Sequence, residues 1–340
     1  MSNELETLSA DFLPAIEAEM RGVLRADSLA DPFYGMIHYH MGWADEALHP
    51  AGGNSGKRIR PILCLLACAA AGGDWRQAVP AAAAVEIVHN FSLVHDDIED
   101  NSATRRGRAT VWTLWGQPQA INTGDAMFAL AHLALARLSD RSVAPATVVR
   151  ALRRFDETCV ALTGGQYADM RFETQAEVAV DEYVRMITGK TAVLVALCAE
   201  LGALGAGADD SRVAHFANFG LNLGLAFQAQ DDLLGIWGDE QLIGKSVSTD
   251  ITTRKKTLPV LFALAHSAPL RDLYAGTDDG DTFVARVVSL LEAAGARDYT
   301  AERAAHYTNE ALSSLALAQP EGPGAAALLQ LTDRLLRRDY

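Results

Sequence analysis

The sequence predicts an all-α fold, one large helical bundle, and three observations carry that expectation. Apolar residues recur at helical spacing along most of the chain, while no run of alternating β-branched residues stands out. Hydrophobic residues make up 49% of the 340, many of them alanine and leucine, enough for a large core. No linker rich in proline and serine divides the chain, so residues 1–340 are expected to form a single domain.

The elements follow in order. Helical periodicity covers 80–100, 120–139, 146–171, 181–204, 211–235, 256–266 and 282–296. Pro80 suits the first turn of its helix. Gly72-Gly73, Gly116-Gln117-Pro118 and Gly205-Ala206-Gly207 read as the loops between helices. The stretches 50–56 and 235–256 are the longest polar, glycine-containing segments, and by length they are candidates for functional loops. The alanine-rich core helices permit both close packing and a central cavity between them.

Composition narrows the function classes. A net charge of −14 and a pI near 5.0 argue against a nucleic-acid surface, which needs a basic stripe. Cys64, Cys68, Cys159 and Cys198 each sit among apolar residues, without a CxxC pair, and read as reduced core thiols. The acidic, amphipathic start carries no basic region followed by an apolar run, and no uninterrupted stretch of about 20 apolar residues occurs anywhere. The expectation is a cytoplasmic protein without a membrane span.

Two acidic motifs stand out from ordinary packing. In His95-Asp96-Asp97-Ile98-Glu99-Asp100, Asp96 and Asp100 share a helix face at i, i+4. Like charges at that spacing repel, and carboxylates near a helix C-terminus oppose the macrodipole, each effect costing roughly 0.3–1 kcal/mol. Such a cluster needs a compensating cation. Magnesium, a hard ion that takes one or two carboxylates and completes its octahedron with water and phosphate oxygens, fits that need. A solvated helix end is the plainer reading of one such motif, but the pattern recurs. Gln230-Asp231-Asp232-Leu233-Leu234-Gly235 also closes an apolar helix, which suggests carboxylates facing each other across a cavity around a diphosphate.

Basic residues gather near these motifs in an otherwise acidic chain. They are Gly56-Lys57-Arg58-Ile59-Arg60-Pro61, Arg105-Arg106-Gly107-Arg108, Lys190-Thr191, and Lys245 with Lys255-Lys256-Thr257. Each alone is an ordinary solvated surface. Beside paired aspartates they read as anion holders, arginine gripping phosphate oxygens in a fork and lysine supplying point charge.

From about residue 50 to about residue 265 the chain resembles the trans-type polyprenyl diphosphate synthases, the class that includes farnesyl and geranylgeranyl diphosphate synthases. Asp96-Asp97-Ile98-Glu99-Asp100 is similar to that family's first aspartate-rich motif and Asp231-Asp232 to its second. The elements around them keep family order: the Gly56–Pro61 run, Glu86-Ile87-Val88-His89, Arg105-Arg106-Gly107, Gly165-Gln166 with Asp169, Lys190-Thr191, Phe227-Gln228, and Gly244-Lys245 with Asp250 and Lys255. The resemblance implies an isoprenoid-synthase bundle with a central cavity. It also implies three Mg2+ ions, two on Asp96 and Asp100 and a third on Asp231. Arg105, Lys190 and Lys255 would hold an allylic diphosphate, with Lys245 near the same ions. Lys57, Arg60, His89 and Arg106 would hold isopentenyl diphosphate, and Thr191, Gln228, Gln166 and Asp169 would line the reacting centre. One departure is plain: the second motif of the family usually ends in another aspartate, and position 235 here is glycine. That puts the outer support of the third ion in doubt.

The reaction implied is Mg2+-dependent head-to-tail condensation, with a homodimer as the assembly. Ser92 and Phe91, about one turn before Asp96, would form the floor of the product cavity. Small Ser92 and large Phe91 suggest a partial floor and a C20 product, geranylgeranyl diphosphate, with C15 and C25 as alternatives. A terpene cyclase on the same fold would not need Lys57, Arg60 and Arg106. A non-catalytic partner subunit would have lost more than one acid.

Overall fold

The computed structural model describes residues 3–26, 31–53, 56–238, 249–276 and 282–337. Helix starts follow local chemistry. Asn3 caps α1 (Glu4–Val23) by accepting from the Glu6 N–H, and Asp31 caps α2 (Pro32–His40), whose first residue is proline. The predicted bundle follows in α3 (Ile59–Ala70), α4 (Val79–Glu99), α5 (Val111–Trp115), α6 (Gln117–Ala136) and α7 (Pro145–Thr174). Then come α8 (Val180–Ile187), α9 (Val193–Gly205), α10 (Asp210–Trp237), α11 (Thr249–Thr252), α12 (Leu258–His266), α13 (Ala268–Ala275), α14 (Phe283–Ala293), α15 (Ala296–Leu317) and α16 (Gly322–Arg337).

Three local features depart from the sequence reading. Residues 104–105 and 108–109 form a small antiparallel hairpin, with Thr104 opposite Ala109. Its two-residue turn, Arg106-Gly107, has positive φ at both positions (54° and 76°), the geometry that matches strand twist. Helix α10 continues past Asp232 to Trp237, so the second acidic motif lies inside its last turns rather than at its end. The segment 235–256 is therefore helical at both ends, through Trp237 and over Thr249–Thr252; residues 239–248 lie outside the described residues.

Contacts divide the chain into two compact units: Met1–Phe155 with Leu197–Phe216 and Ala318–Leu331, and Asp156–Ala196 with Ala217–Leu317 and Thr332–Tyr340. In the first, α4 packs most extensively on α6, and its alanine run from Ala81 to Ala84 is wholly buried. Phe12, Ile16 and Met20 of α1 close that core, with the Phe12 ring 4.9 Å from Trp75. In the second, Phe172, Tyr183, Leu225, Leu258 and Tyr307 join one buried cluster, and Ile236, Val260, Phe283 and Val287 another. Among the described residues, one helical run, Val180–Gly205, is long and apolar enough to cross a membrane by length and composition, with 61% of its most apolar window buried.

Candidate active site

Within the first unit, α4 delivers its acidic motif at the helix C-terminus, where Asp100 is the cap residue. The motif divides. Asp96 is half-buried and Asp100 exposed, while Asp97 is only 2% exposed and accepts from Arg105 Nε at 2.7 Å. Burial pushes the Asp97 carboxyl above its usual range, and Arg105 opposes that shift. Asp97 thus ties the helix end to the hairpin and leaves Asp96 and Asp100 on the outer face.

The hairpin is anchored from behind. Arg108 donates to Tyr39 O at 3.0 Å and Ala44 O at 2.7 Å, its guanidinium 3.9 Å from the Tyr39 ring centre. Arg106 is therefore held at a turn tip in a left-handed conformation that arginine adopts only under constraint. Its neighbours include the backbone at Gly56, where an added Cβ would lie 3.1 Å from Arg106 Nη2.

The Gly56–Pro61 loop is fixed by a residue that the sequence reading did not single out. Arg58, left-handed at φ 53° and 6% exposed, pairs with Glu86 at 2.7 Å and with Glu17 at 3.6 Å. The exposed Lys57 precedes it, and Arg60 Nη1 lies 3.2 Å from His89 Nε2. Burial, with Arg60, Arg106 and Arg105 nearby, drives His89 well below its ordinary pKa, so it is neutral near pH 7. Arg60, His89 and Arg106 thus share one neighbourhood, two guanidinium groups around a neutral imidazole.

The same unit holds both chain-length candidates. The Phe91 ring stands 4.9 Å from His95 and 5.0 Å from Phe128, so it packs toward α6. Ser92 spends its hydroxyl on His89 O at 2.9 Å.

In the second unit, five residues between α8 and α9, Thr188–Ala192, form a π-helical turn. Such turns widen the helix by one residue per turn and often mark functional positions. Gly165 of α7 makes room for it, since a Cβ there would meet Lys190 N at 2.1 Å. The turn brings Lys190 Nζ onto Asp169 in a short ion pair and points Thr191 Oγ1 at Gln228 Oε1, 3.2 Å away. Gln166 lies buried one turn before Asp169 on α7.

The second acidic motif divides as the first does. Asp231 is exposed, while Asp232 is 3% exposed and accepts from Gln228 Nε2, Leu258 N and the Tyr183 hydroxyl. Burial pushes Asp232 up to about 6 despite those three donors. Thr191, Gln228 and Asp232 consequently form one hydrogen-bonded line. Desolvation lowers the Lys255 amine, yet Asp169, Asp250, Asp232 and Asp231 outweigh it and hold the amine above its ordinary value. Lys256, by contrast, is spent on the Phe172 and Gln175 carbonyls. Lys245 lies outside the described residues.

Gly235 has a local explanation. A Cβ at that position would lie 2.8 Å from Asp250 Oδ2, so Asp250 already fills the space that a side chain there would need.

Among the described residues, no three His, Cys, Asp or Glu side chains form a ready metal cage. The donor type is nevertheless one that a hydrated Mg2+ takes: carboxylates reach the surface in each unit, at Asp100 beside the half-buried Asp96 in the first and at Asp231 in the second, while Asp97 and Asp232 are buried in the scaffold.

A family model described as polyprenyl synthetase matches residues 42–291. The geranylgeranyl diphosphate synthase of Mycobacterium tuberculosis is 42% identical over 354 residues, covering 98% of each chain. A (2E,6E)-farnesyl diphosphate synthase of Mycobacterium bovis is also 42% identical, over 309 residues, covering 88% of this chain and 85% of that protein. Among solved structures, the polyprenyl synthetase from Streptomyces coelicolor A3(2) matches with a TM-score of 0.86 at 36% identity, covering 98% of each chain. A polyprenyl synthase from Caulobacter crescentus CB15, complexed with calcium and isoprenyl diphosphate, matches with a TM-score of 0.80 at 27% identity, covering 99% of this chain and 98% of that one.

Proposed function

Because the chain belongs to the polyprenyl synthetase family, and is thereby a prenyltransferase, we propose that it condenses isopentenyl diphosphate with an allylic diphosphate, head to tail. The observation that carries this reading is the neighbourhood of Arg60, Arg106 and the neutral His89, in which two guanidinium groups flank one imidazole. A second substrate with its own diphosphate needs such a site; ionisation and ring closure of a single substrate do not.

The allylic substrate would be held by Arg105, Lys190, Lys255 and Lys245, and the second diphosphate by Lys57, Arg60, His89 and Arg106. Asp96, Asp100 and Asp231 would hold Mg2+, three ions in all, whose charge neutralises the departing diphosphate. The allylic C1–O bond breaks with its electron pair going to oxygen. The isopentenyl double bond then attacks C1, and the C2 proton leaves to the released diphosphate. Gln228 and Thr191, hydrogen-bonded to each other, would present oriented dipoles to that carbon, and Gln166 and the Lys190–Asp169 pair would line the same reacting centre. Positioning the two substrates is the protein's main work.

The product is proposed to be C20, with Phe91 as a partial floor beneath the first motif. The remaining parts of the reading are a single catalytic domain, a homodimer and a cytoplasmic location. The test is incubation of purified protein with Mg2+, isopentenyl diphosphate and C5, C10 or C15 allylic diphosphates, with products resolved by chain length. Linear elongated diphosphates support the reading. A hydrocarbon formed from a supplied C15 or C20 diphosphate, without condensation, overturns it.

A further inference from the structure

A buried imidazole nitrogen lies at the end of α2, on His40. His40 precedes the matched family segment, which begins at residue 42. Its Nε2 is buried and has no hydrogen-bond partner. The same is true of two arginine nitrogens in this unit, Nη1 of Arg106 and Nε of Arg60. His40 and Arg106 line one pocket beneath the hairpin, together with Asp97, Arg105 and Arg108. His89, bonded to Arg60, is close enough to His40 and Arg106 to feel both electrostatically.

Buried polar atoms are rarely left unsatisfied, and each costs about 1–3 kcal/mol when it is. Three in one neighbourhood point to an occupant that accepts hydrogen bonds. The charge balance says which kind. Among the described residues, Arg105 is answered by Asp97 and Arg58 by Glu86, while Arg106 and Arg60 have no carboxylate within ion-pair distance, Glu86 and Asp97 acting on Arg106 only at longer range. Water would satisfy the donors without balancing the two guanidinium charges; a diphosphate does both.

We propose that His40 is a further substrate-binding residue, its Nε2–H donating to the diphosphate of isopentenyl diphosphate beside Arg106 and Arg60. The assignment rests on the condensation reading above and extends its second-substrate site to α2. A neutral imidazole suits the place. A third cation beside Arg105 and Arg106 would be repelled by both, and burial with those two arginines lowers His40 to about 3. The Asn90 amide is near enough to raise the His40 pKa somewhat, but it makes no hydrogen bond of good geometry to Nε2 and is itself fixed to Glu86 through its Nδ2 at 3.0 Å.

The test is isothermal titration of isopentenyl diphosphate into wild-type, His40→Leu and His40→Gln protein in EDTA, followed by steady-state kinetics with Mg2+. His40→Leu should weaken binding and raise KM for isopentenyl diphosphate roughly tenfold, the loss of one hydrogen bond to a charged group. KM for the allylic substrate should stay unchanged, and His40→Gln, which keeps a donor near Nε2, should recover much of the loss. If His40→Leu does not fold, 15N-histidine spectra of the wild type provide the readout, with His40 assigned from His40→Gln. The His40 Nε2 resonance should then shift on adding isopentenyl diphosphate. Unchanged affinity in His40→Leu, or an unmoved resonance, overturns the assignment while leaving condensation intact. A wild-type protein that binds no isopentenyl diphosphate overturns both.

Discussion

Asp96 and Asp97 are chemically identical neighbours, as are Asp231 and Asp232, yet each pair is divided between solvent and scaffold. Asp232 gathers three donors from Tyr183, Gln228 and Leu258, so replacing it by alanine strands all three. Asp232→Ala should lower stability by at least about 2–3 kcal/mol, measured by denaturant unfolding. Asp231→Asn should leave the unfolding midpoint within about 0.5 kcal/mol of wild type and cut kcat by roughly 100-fold or more. The family resemblance assigns metal to Asp96 and Asp231 but is silent on what Asp97 and Asp232 do, because the partners that bury Asp232 come from Tyr183 and Leu258, far along the chain. The histidines carry a pH prediction. His40 and His89 are depressed in the fold and ordinary, near 6.5, when unfolded. Their contribution is therefore fully present above pH 6.5 and is lost as pH falls toward 3. The thermal midpoint should drop on acidification from pH 7 to 5, and His40→Gln should flatten that slope.

At the level of elements, the helices were legible because long apolar periodicity over several turns is hard to mistake. Two short features were not. The hairpin at 104–109 is too brief for alternation to register, and only its Arg-Gly turn hints at it. The π-turn at Thr188–Ala192 differs from an α-helix by one residue per turn, a shift that five residues cannot reveal through periodicity. Both place cations, Arg106 in one and Lys190 in the other. The close approach of Gly165 to Lys190 makes the second testable. Gly165→Ala should push α7 and the π-turn apart at a cost of about 1–3 kcal/mol. It should raise KM for the allylic diphosphate more than KM for isopentenyl diphosphate, read from initial rates. Gly235 taught a related lesson: the sequence suggested a missing acid, and the fold supplies Asp250 against that position.

For the molecule as a whole, net charge says little about the ligand. The chain carries −14, yet Arg105, Arg106 and Arg108 gather around one pocket. Product length is equally local, since relatives that are equally identical to this chain carry both farnesyl and geranylgeranyl names. Phe91, leaning on Phe128, is the side chain on which the C20 reading turns. Phe91→Ala should shift the product distribution to longer chains, resolved by mass spectrometry of the dephosphorylated alcohols. Under the proposed reaction the two diphosphates are held by different chemistries, isopentenyl diphosphate by arginine, lysine and neutral histidine without metal, the allylic diphosphate through carboxylate-bound metal as well as cations. Calorimetric binding of isopentenyl diphosphate and of an allylic diphosphate, each with Mg2+ and with EDTA, tests it most directly. Isopentenyl diphosphate should bind in both conditions and the allylic diphosphate only with Mg2+; equal metal dependence of the two would contradict the account.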